Sequence, residues 1–510
     1  MVTSYPGANV LSHTNSINLL KGRESDRQRA VLLARDYHEG NQGVELTGRL
    51  MQYLRSYNLG HEFNMNVCRS VVTAMSERLS ITGFDSANPK LIEWAEKLWA
   101  TNLMNAVQDD VYEKALRDGE AFVLVGWDKE DERVRWTIHE RYTEIGSGIG
   151  GSDFGCVAVY EQNDPNQKMK FAAKYWVEGP NDDPKRRKTV YYPDRIEKFY
   201  LDSRGEWAHI SDPDDEEWPV PWVDTAGEPL GIPVIHFKNK NLRCEAWDAI
   251  PLQDAINKEL LDLLMSADQT AFRIFVARGF IPTTDGKPPK DDRSNWQTIE
   301  PGEIIATTKG PSEAAFDAID SASLVPLQDL VHQLIMWLAM VTETPITRFI
   351  TTKLIASDET LKEQENPLLS RVSVRQILFG SAWTSCLKLS RKLEELWGTK
   401  GLDQEVEIKP LWKDAQVRGE KEKLTNLGLK QDIGVPQNQL WKEAGYDQAT
   451  IAKMETEKAK ESNNGQGTGP GVPGNGNGTD RPGAGNGNGN GRIGFRTADG
   501  QGQNQNAGAS

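Results

Sequence analysis

Apolar residues recur at helical spacing over the first hundred or so residues of this chain. Val31, Leu32 and Leu33 sit in a helix that closes at Tyr37–Gln42, and Glu45–Tyr57 predicts another. Asn64–Leu79 places Val67, Val71, Val72, Met75 and Leu79 on one face, with a turn expected at Gly83. Lys90–Trp99 and Asn105–Arg117 continue the run, and Gly119 stops it. The period then falls to two. Ala121–Trp127 and Arg133–Ile138 read as a hairpin across Asp128–Glu132. Cys156–Glu161, Met169–Val177, Thr189–Tyr192, Ile196–Leu201, Glu206–Ile210 and Ile232–Phe237 add β-type segments. Helices first and strands later make the first 240 or so residues an α+β unit.

From Ala249 the helical period returns. Leu252, Ile256, Leu260, Leu263, Leu264 and Ala267 share a face, and the pattern reaches Phe275 before Gly279. Phe280–Ile319 is rich in Pro and Gly, with Ile304–Ala306 as a strand, and predicts a compact β-insert. A strongly apolar helix follows (Leu327, Leu330, Val331, Leu334, Ile335, Leu338, Val341) and stops at Thr342-Glu343-Thr344-Pro345. A polar segment runs on to Ala356, and Ser357 opens a second long helix to Trp397 with Pro367 inside it, which should bend or divide it. Two long helices can hold such a polar segment out into a space, where it touches a passing partner. Glu405–Lys409 alternates like a strand, and Asp414–Leu427, Pro436–Ala444 and Gln448–Glu461 form a small helical unit. From Ser462 to Ser510 the chain is mostly Gly, Asn and Gln; it has too little apolar surface to offset ordering and is expected to be disordered.

The formal net charge of −15 argues against a general nucleic-acid coat, though not against a few local cations touching DNA. Mean hydropathy of −0.58 leaves much polar surface. Cys68, Cys156, Cys244 and Cys386 lie far apart with no CxxC pair, so neither a zinc site nor a disulfide framework is indicated. Met1–Asn18 has no basic-then-apolar leader pattern, and Leu334–Val341 is far too short to span a bilayer; a soluble cytosolic product is expected. The 15 tryptophans fit core packing first and interfaces second.

Catalytic patterns are missing. There is no GxxxxGK[ST], and Gly146–Gly151 lacks the strand-to-helix setting of a dinucleotide site. The histidines show neither HxH nor HExxH spacing. Glu407-Ile408-Lys409 offers the Glu-x-Lys of a metal-dependent nuclease, but no neighbouring strand supplies a second acid, so a solvated strand face is the plainer reading. The run Asp212–Glu217 reads as a solvated acidic loop. No cofactor and no metal is expected.

Several short segments carry a resemblance. They are Tyr37-His38-Glu39-Gly40; Asn66–Val72 through Glu77-Arg78-Leu79 and Gly83-Phe84; Ala115–Phe122; and Leu252–Asn257. Ser357-Asp358-Glu359-Thr360-Leu361-Lys362 is similar to Ser-Gly-Glu-Ala-Leu-Lys, departing at Asp358 and Thr360; Pro410–Asp414 and Gly434-Val435-Pro436 close the series. In this order, over roughly residues 30–455, the chain resembles the portal proteins (head-to-tail connectors) of tailed double-stranded DNA bacteriophages. The resemblance implies an α+β portal-type subunit. Its parts would be a wing (1–241), a first stem helix (242–278), a clip (279–320), a second stem helix (321–342), a tunnel loop (343–356), a long wing-spanning helix (357–398), a helical crown (399–461) and the tail (462–510).

The same resemblance implies a dodecameric homo-oligomeric ring in the virion at one capsid vertex, assembled in the host cytoplasm and not in a membrane. It would be the channel for DNA packaging and ejection, touching double-stranded DNA without reading sequence. Its partners would be the terminase large subunit, the major capsid and scaffolding proteins, and a head-completion adaptor. Thr344, Thr347, Arg348, Thr351, Thr352 and Lys353 are then the candidate DNA contacts of the tunnel loop, and Glu259 and Asp262 the candidate channel-lining acids. The alternatives are a capsid-associated DNA-processing hydrolase, disfavoured by the missing motifs, and a non-viral ring scaffold.

Overall fold

The computed structural model describes residues 25–42, 52, 65–143, 154–179, 185–210, 219–271, 274–279, 283–284, 287–294, 310, 312–313, 315–319, 323–350, 358–416, 420–444, 446 and 448–464. In chain order the first elements are helices Ser25–Glu39 (α1) and Cys68–Ser76 (α2), strand Ile81–Asp85 (β1), and helices Pro89–Thr101 (α3) and Met104–Asp118 (α4). Strands Glu120–Asp128 (β2), Arg133–Glu140 (β3), Gly155–Tyr160 (β4), Met169–Glu178 (β5), Lys185–Tyr191 (β6), Arg195–Leu201 (β7), Trp207–His209 (β8), Val220–Pro221 (β9) and Val234–Lys238 (β10) follow. Helix Ile250–Ala271 (α5), strands Ile274–Arg278 (β11) and Ala315–Ile319 (β12), and helix Val325–Val341 (α6) come next. Helix Asp358–Trp397 (α7), strand Lys409–Trp412 (β13), and helices Glu420–Asp432 (α8), Gln437–Ala444 (α9) and Gln448–Asn464 (α10) complete the chain.

Local chemistry sets the ends of these elements. Asn88 caps α3 by accepting from the Lys90 N–H at 3.1 Å, with Pro89 at the first helical position. Gly119 ends α4 at φ +85°, and a β-carbon there would meet the Leu242 carbonyl oxygen at 2.5 Å, so only glycine serves. Among the described residues every ladder between these strands is antiparallel, with one isolated parallel bridge from Arg141 to Cys156. The strands form a ladder of β1 with β13, a sheet in the order β10-β2-β3, a larger sheet β4-β5-β6-β7-β8 with β9 on β7, and a ladder of β11 with β12.

Residues 1–420 make one compact unit. Its core lies where α7 crosses β10, β2 and β3 and packs on β13. Trp383 of α7 is fully buried, with its ring edge-on to Trp99 (4.9 Å) and Phe237 (4.7 Å) and stacked near Trp136 (5.5 Å). Buried rings of this size each contribute on the order of 2–3 kcal/mol through removed apolar area. The other face of β4–β8 carries Val157, Val159, Phe171, Val190 and Phe199. The Lys188 ammonium lies 4.7 Å from the Trp207 ring on that side. Residues 421–510 form a second unit, in which α9 and α10 pack together.

Four expectations change. The helical pattern toward Phe275 breaks after Ala271, because Ile274-Phe275-Val276 suits a strand and finds its partner in Ala315–Ile319. Gly83 lies in β1 beside a bulge and not in a turn. The strand sits at Lys409–Trp412 rather than Glu405–Lys409, since Asp403 draws the N–H groups of Glu405 (3.0 Å) and Val406 (3.3 Å) into a turn. Pro367 does not divide α7, which runs through it. Pro367 and Glu363 are exposed, so the carbonyl the proline leaves free can reach water. The expected helix at Glu45–Tyr57 (Gln52 apart), the glycine loop 146–151, the acidic run 212–217, the strand 304–306 and the tail from 465 lie outside the described residues.

Candidate functional site

The site is the joint where the helix pair α5/α6 meets the rest of the first unit, together with the segment leaving α6. The first turns of α5 are pinned by side chains. Gln253 Oε1 accepts from the Val67 N–H at 2.7 Å, its Nε2 donates to the Met65 carbonyl, and Asn257 Oδ1 accepts from the Met65 N–H at 3.0 Å. Both side chains are fully buried. The Tyr37 hydroxyl donates to Asp254 Oδ1 at 2.5 Å. Through their oxygens and the Gln253 amide nitrogen, Gln253 and Asn257 close the free backbone ahead of α2, which is where buried polar side chains contribute most.

Helix α6 is apolar on two sides. Val331, Leu334, Ile335, Leu338 and Ala339 face inward. Met336 (53% exposed), Trp337 (44%), Met340 (69%) and Val341 (48%) face solvent. The helix ends because the Thr342 hydroxyl donates to the Leu338 carbonyl at 2.8 Å, Glu343 turns left-handed at φ +51°, and Thr344 N–H closes on the Ala339 carbonyl at 3.0 Å.

A buried cluster braces this end. Glu245 accepts from Arg371 and forms an ion pair with Arg375, both on α7; Arg371 also donates to the Thr342 carbonyl, and Arg375 Nε donates to Asn239 Oδ1 at 3.1 Å. Glu245 is itself tied through its N–H to the Leu116 carbonyl at 2.9 Å. One carboxylate thus joins α7, the end of α6 and the run into α5.

The predicted contact residues divide. Thr344 is 3% exposed and its hydroxyl donates within the turn to the Thr342 carbonyl at 3.3 Å, so it shapes the turn rather than meeting a partner. Ile346, Phe349 and Ile350 pack against the core, so the segment through Ile350 lies on the protein and is not held out from it. The apolar residues between the threonines dictate this. Thr347 and Arg348 face solvent, and Arg348 Nη2 pairs with Glu77 Oε2 at the end of α2, 2.7 Å away. Thr351, Thr352 and Lys353 lie outside the described residues. On α5, Glu259 (side chain 19% exposed) and Asp262 (41%) both lie near Lys258, at 3.8 and 3.7 Å, so one cation offsets part of their charge.

A second buried network ties α1, α4, β2, β3 and β10 together in the first unit. Asp118 pairs with Arg35 (2.6 Å) and Arg117 (2.7 Å), and Glu140 with Arg117 (2.7 Å). Glu120 meets Arg141, Arg27 (3.0 Å) and His236 (2.7 Å), and the Tyr160 hydroxyl bonds His236 Nδ1 at 2.7 Å. Burial alone would raise the Glu120 carboxyl, but Arg141, His236 and Arg27 outweigh it and hold it well below the usual range. Burial lowers the pKa of His236, against the opposing pull of Glu120, which its Nε2 faces. Glu407 and Lys409, the Glu-x-Lys pair, are exposed and bonded to each other at 3.3 Å.

The sequence reading missed Glu245, Arg371 and Arg375. Gln253 and Asn257 do leave a signal in the sequence, as a polar pair four residues apart beside an apolar stripe. Among the described residues no His, Cys, Asp and Glu group could hold a metal ion, and no helix is long and apolar enough to cross a membrane.

No curated protein matches this sequence. Among solved structures, the chain is similar to one from the neck of a native gene transfer agent particle computed with C12 symmetry. The identity is 9%, the TM-score 0.38, and the match covers 81% of this chain and 97% of that one. The neck of an empty particle computed with C6 symmetry gives 11%, 0.40, 78% and 92%, and the virion of a native particle 11%, 0.34, 82% and 94%. Residues 80–464, well over half of the chain, match the family described as phage portal protein, SPP1 Gp6-like, and the chain belongs to that family.

Proposed function

We propose that copies of this chain close into a ring at a capsid vertex and form the channel through which double-stranded DNA is packaged and ejected. Members of the portal family are structural parts of a particle, not enzymes. The observation that carries the ring is the second apolar side of α6. Met336, Trp337, Met340 and Val341 stand together in solvent although the helix already buries its other side within the chain. A contiguous exposed patch of this kind marks an interaction surface. A closed ring needs a head-to-tail contact between two different surfaces, and a helix with one side for its own subunit and one for the next supplies half of it. Twelve copies is the number that the resemblance to portal proteins implies for such a ring.

A conduit must touch the duplex without holding it. About 6–10 neutralised phosphates already give tight, salt-dependent binding. Thr347 and Arg348, with Thr351, Thr352 and Lys353, are the proposed contacts. The exposed Arg348–Glu77 pair contributes at most about 1 kcal/mol, so Arg348 can exchange its carboxylate for a phosphate. Glu259 and Asp262, partly offset by Lys258, are the proposed weakly repulsive lining. In this reading the terminase large subunit binds first and a head-completion adaptor later, on the part that continues from β11 and β12, and capsid and scaffolding proteins surround the wing.

The test replaces Trp337 and Met340 by Asp. Both side chains are exposed in the single chain, so the subunit should keep its far-ultraviolet spectrum and its urea midpoint while rings disappear from mass measurements. Rings of unchanged size from the double variant would remove α6 from the interface.

A further inference from the structure

Helices α8, α9 and α10 share little apolar core of their own. Among the described residues of this unit only Leu440 and Ile451 are buried apolar side chains. Two such side chains do not offset the ordering of three helices. Helix α8 is the least supported. It is 13 residues long with Gly428 inside, a length at which an isolated helix is marginal and a residue that weakens it. It turns Leu429 (58% exposed) and, just past its end and one turn on, Ile433 (80%) to solvent, with Leu424 (69%) earlier on the helix. By contrast, α9 and α10 close on each other. The Lys458 ammonium lies 5.7 Å from the Trp441 ring and 3.5 Å from Gln437 Oε1.

We infer that α8 is completed by the neighbouring copy of this same unit, its Leu429 and Ile433 side packing against the next subunit's C-terminal helices, so that this unit folds fully only on assembly. The inference rests on the ring reading. A ring sets identical units side by side, which makes a second copy the partner always at hand, at a concentration fixed by the assembly. Charge agrees with this. Residues 420–464 alternate lysines with carboxylates and are close to neutral, whereas the whole chain carries −15. Copies of this unit can therefore sit together without the repulsion that the rest of the chain would impose.

The experiment is hydrogen exchange read by mass spectrometry on the full chain, as assembled rings and as dissociated subunits, with the assembly state measured in parallel by mass photometry. Amides of 420–433 should exchange at least tenfold more slowly in rings. A Leu429→Ser/Ile433→Ser variant should still form rings through α6 yet lose that protection. Equal protection in rings and subunits, slow or fast, overturns the inference while leaving the ring intact. Protection that appears only in whole particles overturns it too, since another protein then covers α8. Failure of the unaltered chain to form rings brings down the ring reading and this inference together.

Discussion

The indole N–H of Trp383 donates to the hydroxyl of Tyr112 at 3.0 Å. That hydroxyl lies 3.3 Å from Gln108 Oε1, which also accepts from the Ile81 N–H at 2.8 Å. Helix α7, helix α4 and strand β1 thus share one fully satisfied polar thread in an aromatic core. Tyr112→Phe keeps the ring but leaves the buried Trp383 donor without a partner. The expected cost is about 1–3 kcal/mol, read as a lower urea midpoint at unchanged m-value. An unmoved midpoint would show that the thread contributes nothing.

Glu245→Gln should be more damaging. It keeps the shape of the side chain but leaves the Arg371 and Arg375 guanidiniums facing each other without their carboxylate. Breaking a buried charge cluster in this way costs about 3–5 kcal/mol. The same urea experiment checks it, and a loss below about 1 kcal/mol would mean water reaches the joint.

The Arg348–Glu77 pair should behave differently. A double-mutant cycle with alanine at both positions should give a coupling of only about 0.2–1 kcal/mol, because both groups are solvated. Packaging separates the two residues. Arg348→Ala should alter the length of DNA retained in particles, whereas Glu77→Ala should not. Equal effects would make the pair a latch and take Arg348 off the DNA.

Acid should destabilise the subunit in two stages. Burial, with Arg117 and Arg69 nearby, lowers His38 to about 4, and burial with Lys174 and Lys114 lowers His139 to about 4. The unfolded chain, with histidines near 6.5, therefore binds more protons than the folded one between about pH 6.5 and 4, and stability falls as pH falls through that window. Asp118 and Glu120 act below it. Their folded pKa values are depressed, so the stability they give is present above the ordinary carboxylate range and is lost as pH drops through it. Urea midpoints from pH 7.5 to 4 should decline steadily, and His38→Gln should flatten part of the decline. A midpoint that rises on acidification would contradict the assignment.

The helices and strands of the first unit were legible because their periods are clean. Val67, Val71, Val72, Met75 and Leu79 are all buried, as their spacing requires. Pairing partners were not legible. Nothing local says that Ile81–Asp85 joins Lys409–Trp412, more than three hundred residues away. Nor could spacing reveal that Glu245 would meet Arg371 and Arg375, since each alone reads as an ordinary surface charge. The joint is written in long-range chemistry, and the polar segment after α6 looked freer than it is because Ile346, Phe349 and Ile350 are spread among its threonines.

The most direct measurement is the mass and projected shape of the purified full chain across a concentration series, with and without shell subunits. The account predicts discrete multiples of one size, seen end-on as rings with a central hole. A single-chain mass at every concentration, unchanged by the shell subunits, would contradict it.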